Sequence, residues 1–211
     1  MKLEFIGVGE AFDPELGNSS MLLHGETNLL IDCGYAVPRN YFAKDYSADF
    51  LDAVYITHFH ADHIFGLPAL LMRFWEDGRK KELKIIGQKG TEQRVKEVFD
   101  LAYPSLREKV AYPVSFLESE DNLKFKNLEL SFAETAHGMR NFAIKIESAG
   151  RVLGISGDGE LTEHTRVLFS DVNVLVHDAF KLEDSINGHA NAMDLIAYAD
   201  TLSNVEKLVF V

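Results

Sequence analysis

Cysteine is almost absent from this sequence: Cys33 is the only one in 211 residues. An internal disulfide is thereby excluded, and a reducing compartment is compatible, so the expected location is cytoplasmic. Long hydrophobic runs are missing too. No stretch approaches the roughly 20 apolar residues that a membrane-spanning helix needs, and no membrane partner is expected. Glu4 and Glu10 interrupt the start before any apolar segment, so no secretory signal is expected. Proline is sparse, with five residues, and the fifteen glycines are scattered without any low-complexity run. Nothing therefore marks a linker or a disordered tract. Cations are outnumbered, 21 Lys and Arg against 33 Asp and Glu, for a net charge of −12. That balance argues against broad adhesion to nucleic acid or to an anionic surface.

What remains is a chain with 46% hydrophobic residues, enough for one sizeable core, and a single domain over residues 1–211 is expected. Lys2 to Val8 reads as an edge strand, and Ser20 to Leu23 pairs with Asn28 to Asp32 across a Gly25-Glu26-Thr27 turn. Further strands are expected at Ala53–Ile56, Lys84–Gly87, Val114–Leu117, Leu128–Ala133, Phe142–Ile146, Val152–Ile155 and Val174–Val176, with Leu208–Val211 a buried closing strand. Helices are expected from Leu67 to Trp75, starting at Pro68, and from a Thr91 cap to about Tyr103, with Val95, Val98, Phe99 and Ala102 on its apolar face. Two more are expected near Leu161–Phe169 and over Ala192–Leu202, the latter capped by Asn191 and carrying Leu195, Ile196, Ala199 and Leu202 on one side. Periodicity alone supports an α/β or α+β chain.

The segment Thr57-His58-Phe59-His60-Ala61-Asp62-His63 packs three imidazoles and a carboxylate into seven residues. It follows the apolar run Ala53–Ile56, so it sits where a strand opens into a loop, the place where α/β proteins put their ligands. His58 and His60 are two apart and point the same way in an extended stretch, while Asp62 and His63 come after the chain has turned. Imidazole nitrogen with carboxylate oxygen is a donor set for zinc and similar divalent ions. The bland alternative is a chance run of solvated histidines, which eight His in the whole chain make improbable.

His-x-His-x-Asp-His is also the signature of the metallo-β-lactamase fold, and the chain resembles that superfamily over nearly its whole length. The resemblance implies an α+β fold, the αββα sandwich of two packed mixed sheets flanked by helices, and two divalent metal ions, zinc first with Mn2+ or Fe2+ as alternatives. It implies a first ion held by His58, His60 and His137 and a second held by Asp62 and His63, with Asp158 bridging the two. Asp32, at the end of Leu29-Leu30-Ile31, matches an Asp that supports the site by hydrogen bonds to its ligands. The superfamily's last histidine ligand follows a final strand. Lys207–Val211 looks like that strand, so this ligand is expected just beyond Val211, and as written the second ion has three protein ligands.

Within the superfamily the chain looks most like the ribonuclease Z and phosphodiesterase branch. Its His-Glu-Ala-Thr and His-Ser-Thr segments are matched by His177-Asp178-Ala179-Phe180 and His189-Ala190-Asn191. The expected catalytic group is Asp62 with His189 and Asp178, the imidazole protonating or binding a phosphate oxygen. His177 reads equally well as a core histidine at a strand end. Twenty residues separate His137 from Asp158, too few for the long arm with which ribonuclease Z grips tRNA. The loop Phe12-Asp13-Pro14-Glu15-Leu16-Gly17-Asn18 lacks the branch's cations.

The expected activity is therefore hydrolysis of a small-molecule phosphodiester or nucleotide, with large RNA a weaker partner and a homodimer compatible. A ribonuclease Z-like tRNA 3′ endonuclease, and a hydrolase of carboxylic esters, lactones or thioesters, are the alternative enzymes. A degenerate binding protein is the alternative outside enzymes. A di-iron redox role is disfavoured, because that branch carries an acidic ligand at the position of His60.

Overall fold

The computed structural model describes residues 1–118, 120–184 and 186–211. The chain divides into two compact units, Lys2–Ser119 and Glu120–Val211 with Met1. The first unit runs β1 (Lys2–Gly7), β2 (Ser20–His24), β3 (Leu29–Ile31), α1 (Val37–Phe42), β4 (Ala53–Ile56), α2 (Ala61–Ile64), α3 (Leu67–Glu76), β5 (Leu83–Gly87), α4 (Thr91–Ala102) and β6 (Val114–Glu118). Its six described strands form one sheet in sequence order. β1, β2 and β3 are antiparallel, and β3 through β6 are parallel. β3 and β4 are buried at every position, so they read as continuous apolar runs instead of alternating. Val37 and Tyr41 of α1, Leu67, Leu70, Leu71 and Phe74 of α3, and Val95 and Phe99 of α4 share a core with Leu30, Val54, Ile56 and Ile85 of the sheet. Parallel neighbours need crossover connections, and these helices are the crossovers.

The second unit runs β7 (Leu123–Phe125), β8 (Leu128–Glu134), β9 (Phe142–Ser148), β10 (Arg151–Ile155), α5 (Glu163–Leu168), β11 (Val174–His177), α6 (Ala192–Ala199) and β12 (Lys207–Phe210). Its sheet order is β12-β11-β10-β9-β8-β7. β7 to β10 form an antiparallel meander, and β10, β11 and β12 are parallel. Ala143, Leu168, Phe169, Val172, Leu175 and Tyr198 make its core. In both units the ligand candidates follow the C-terminal ends of strands, His58 to His63 after β4 in the first and His137 and Asp158 after β8 and β10 in the second.

Five expectations are corrected. The cap of α4 is Gly90 at φ +92°, and Thr91 is already helical, its hydroxyl donating to the Gln88 carbonyl at 2.7 Å. Ala102 is exposed, because the last turn of α4, with Leu101 at 81% exposure, runs out into solvent. The buried stripe of α6 is Ala192, Leu195 and Tyr198, and Ile196 lies outside it because each residue turns about 100° around the axis. β12 is an edge strand whose Leu208 and Val209 are half-buried and whose Phe210 is exposed, since a strand with one neighbour is covered on fewer sides. α6 also stops at Ala199, three residues short of Leu202, while Asn191 caps it as expected by accepting from the Asp194 amide. α1 and β7 carried no signal read from the sequence. No helix among the described residues is long and apolar enough to cross a membrane.

The hairpin between β9 and β10 turns through Ala149 at φ +50° and Gly150 at φ +73°. Two consecutive left-handed residues make a turn that favours Asn-Gly, so Ala149 holds a conformation its Cβ resists. Ala149→Asn is expected to raise stability by about 0.5–1 kcal/mol, read as a melting temperature about 1–4 °C higher in a thermal scan.

Candidate metal centre

Asp32 ends β3 at φ +60°, a conformation that an Asp tolerates better than most residues, and it is 3% exposed. Its carboxylate collects three hydrogen bonds at 2.8 Å, from the Thr57 amide, the Thr57 hydroxyl and Nδ1 of His63. The Thr57 hydroxyl in turn stands 3.1 Å from Nδ1 of His58. Because that hydroxyl gives its proton to Asp32, His58 donates to it through Nδ1. One carboxylate thus sets the tautomer of two histidines, His63 directly and His58 through Thr57, so that Nε2 is the ligand atom each would offer. Burial pushes the Asp32 carboxyl above its ordinary range, while the His63 ring and the Thr57 donors pull the other way.

The loop closes tightly on this support. Cys33 donates its amide to the His63 carbonyl at 2.8 Å, and Gly66 donates to the Cys33 carbonyl at 2.8 Å. A Cβ on Gly34 would lie 1.8 Å from the Asp62 carbonyl oxygen, so only glycine lets the two segments meet. Nε2 of His58 and Nδ1 of His60 stand 3.0 Å apart, and Nε2 of His63 is 3.2 Å from Oδ2 of Asp62. Two nitrogens bound tetrahedrally to one zinc ion would be about 3.3 Å apart, so this donor set fits the metal that the motif implies. His60 is the N-cap of α2 at φ −64° and ψ 152°, which swings the chain and delivers Asp62 and His63 to the same place.

The second unit carries the other candidates. His137 follows β8, and Asp158 follows β10 in a Ser156-Gly157-Asp158-Gly159 turn. Nδ1 of His137 donates to the Gly188 carbonyl at 2.7 Å, which leaves Nε2 as the donor atom, 3.8 Å from Oδ2 of Asp158. Asn141 ties the two loops together. Its amide donates to the Thr135 hydroxyl at 2.9 Å and the Ser156 carbonyl at 2.8 Å, and its oxygen accepts the Asp158 amide at 3.3 Å. The Thr135 hydroxyl then donates to the Asp158 carbonyl at 2.7 Å. Asn141 is fully buried with its hydrogen-bonding capacity engaged, as a buried amide needs.

Asp178, just beyond β11, accepts the Gly159 amide at 2.9 Å and Nδ1 of His189 at 2.8 Å on the same oxygen, Oδ2. An Asp at this position therefore does reach the His189 ring. That ring lies edge-on to His137, with centroids 5.0 Å apart. His177 is different. It is fully buried, donates Nδ1 to the Asp178 carbonyl at 2.9 Å, and has no partner at Nε2. Burial pushes its pKa below the ordinary value, so it stays neutral as a core residue.

The residues around these candidates carry no comparable signal in the sequence. Thr57, Gly34, Asn141 and Gly188 are held by contacts distant in sequence, and no local pattern singles them out.

The comparisons with known proteins agree with this chemistry. Residues 1–209 match the family model described as Anti-Pycsar protein Apyc1. The chain is 43% identical over 89 residues to an anti-Pycsar protein Apyc1 of Bacillus phage 010DV004, covering 40% of this chain and 35% of that one. It is 34% identical over 148 residues to a ribonuclease Z of Methanocaldococcus jannaschii, covering 68% of this chain and 46% of that one. The chain spans about half the length of the ribonuclease Z relatives it matches. Among solved structures, the metallo-β-lactamase fold protein YhfI of Bacillus subtilis superposes with a TM-score of 0.82 at 21% identity, over 99% of this chain and 84% of that one. Two six-stranded mixed sheets with helices are thus a metallo-β-lactamase fold, as the His-x-His-x-Asp-His motif implied.

Two expectations test these supports. Asp32→Asn keeps the shape but cannot accept from His63, Thr57 Oγ1 and Thr57 N alike. Zinc affinity, measured by competition with a chromophoric chelator, should fall by about 10- to 100-fold. For His177, the depressed pKa means that the unfolded chain binds the extra proton between the folded pKa and 6.5, so stability falls as pH drops through that window. In His177→Leu the slope of unfolding free energy against pH should flatten there by up to about 1.4 kcal/mol per pH unit, measured by urea titration at pH 5 to 7.

Proposed function

We propose that this chain, which belongs to the Anti-Pycsar protein Apyc1 family, is a metal-dependent phosphodiesterase that opens a cyclic nucleotide. The observation that carries the reading is the His189–Asp178 pair, 2.8 Å apart beside His137. A phosphodiester with an alkoxide leaving group needs a proton delivered to the departing oxygen, which this pair can supply, and the family match favours phosphate over a carboxylic ester.

His58, His60 and His137 would hold one ion, and Asp62 and His63 a second, with Asp158 shared between them. Two divalent ions, zinc for this donor set with manganese or iron as alternatives, would bring the pKa of water toward neutrality and offset the charge that develops on the phosphoryl oxygens. The chain's own residues do the rest. Asp32 and Thr57 keep the lone pairs of His58 and His63 directed outward, and Gly188 does the same for His137. Asp178 accepts from Nδ1 of His189, so Nε2 is the atom that carries the exchangeable proton. Water adds to phosphorus, one ester bond breaks, and the ribose oxygen that departs takes the proton from His189. The product is a nucleoside monophosphate.

Size and charge support a small substrate. The stretch between His137 and Asp158 is filled by β9, β10 and their turns, which leaves no arm for a tRNA. A net charge of −12 would repel a long polyanion more than a single phosphodiester.

The test is turnover by metal-reconstituted protein on cyclic nucleotides, a precursor tRNA, and a panel of lactones and thioesters. Release of nucleoside monophosphate is expected. Cleavage of the tRNA or of the carbonyl esters alone would overturn the reading. On a cyclic nucleotide, His189→Ala should keep its metal and lose about 10²- to 10⁴-fold in kcat. On a nitrophenyl phosphodiester, whose leaving group needs no proton, the loss should be much smaller. Equal losses on both would leave His189 as a phosphate binder.

A further inference from the structure

The turn that carries His189 is tied to the ligand His137 through one unassigned carboxylate. Ile186 to His189 form a tight turn closed by the His189 amide on the Ile186 carbonyl at 2.9 Å. Gly188 sits in it at φ +85°, and Asn187 is not left-handed, the φ pattern of a type II turn that demands glycine at its third position. The Gly188 amide donates to Oε1 of Glu160 at 3.0 Å. The Gly188 carbonyl accepts Nδ1 of His137 at 2.7 Å. Glu160 is in turn rooted next to His137. Its amide donates to the Ala136 carbonyl at 2.9 Å, and its carbonyl accepts the Ala136 amide at 3.2 Å.

We infer that Glu160 is a positioning residue that couples metal binding at His137 to the placement of His189. The backbone of Glu160 sets the strand end from which His137 projects. Its carboxylate sets the turn whose carbonyl fixes the His137 tautomer. The peptide unit joining Gly188 to His189 carries both bonds, its N–H to Ile186 and its C=O to His137. Withdrawing electron density from the His137 ring by a bound cation strengthens the Nδ1–H bond, and a stronger bond on one end of that peptide strengthens the other. The turn bearing His189 is therefore held more firmly when His137 binds its ion, and by linkage the ion is held more firmly when the turn is formed. A Cβ on Gly188 would stand 3.3 Å from the Gly138 amide nitrogen and 3.4 Å from Nδ1 of His137, so the coupling depends on close approach as well as on the bonds.

This inference rests on the reading that His137 binds a metal. It is tested with Glu160→Ala, which removes the acceptor, and Glu160→Gln, which keeps an oxygen for the Gly188 amide without the charge. Zinc affinity is measured by chelator competition. Hydrogen exchange of the peptide containing the His189 amide is followed with and without zinc, and thermal unfolding of the metal-free proteins serves as the fold control. In the wild type, zinc should slow exchange at the turn. In Glu160→Ala, affinity should drop about 10- to 100-fold and the zinc-dependent protection should vanish, with the metal-free melting temperature unchanged. Glu160→Gln should restore both. Wild-type affinity and protection in Glu160→Ala would overturn the inference alone, as would a Glu160→Gln variant as impaired as Glu160→Ala. Wild-type protein that takes up no zinc, or a His137→Ala variant that binds it undiminished, would overturn the metal reading and this inference with it.

Discussion

A buried carboxylate with three donors turned toward it organises the ligand candidates of the first unit. Asp32 cannot sit 3% exposed without partners, because an ionised carboxyl removed from water costs several kcal/mol unless hydrogen bonds replace its hydration. Thr57 and His63 supply them. In doing so they become fixed themselves, and with His63 fixed the short α2 and Asp62 are placed as well. The left-handed backbone at Asp32, the close approach at Gly34 and the buried Thr57 follow from keeping this one group satisfied.

In the second unit the central buried polar group is an uncharged amide. A neutral amide, Asn141, joins the strand ends that carry His137 and Asp158, and it is buried completely. Around it the polar groups are handed on in sequence: Thr135 to Asp158, Gly159 and His189 to Asp178, His137 to Gly188, Gly188 to Glu160. A network of this kind is rigid because each member, once displaced, leaves another buried group without a partner. The separation of roles is visible in the histidines. His177 is neutral and buried with nothing at Nε2, whereas His137 and His189 each have Nδ1 engaged and so are oriented for work at the other nitrogen.

Much of this was legible in the sequence. Most strands were, because buried parallel strands such as β3, β4 and β11 are short continuous apolar runs. The strand-to-loop cluster of three imidazoles and a carboxylate was legible as a candidate donor set, because residue type alone identifies it. Element ends were less legible. Thr91 is a good cap by residue type, yet Gly90 takes that place, since a left-handed glycine turned the chain one residue earlier. Ile196 and Ala102 are apolar and still exposed, because which face of a helix is covered depends on what it packs against.

By itself, then, the sequence determined the chemistry: which residues could bind a metal, that an acid stood beside a histidine somewhere near the C-terminal half, and that the chain would build mixed sheets with helices. Those follow from residue type and from periodicity, which are local. Only the tertiary structure decided which nitrogen of His58, His63, His137 and His189 is engaged, that Asp178 reaches His189 despite being a methylene shorter than Glu, and that Asn141 and Glu160 hydrogen-bond to loops they do not neighbour in sequence. Hydrogen-bond distance is set by how loops from separate strands converge. That convergence is a sum over the whole fold, and no window of the sequence contains it.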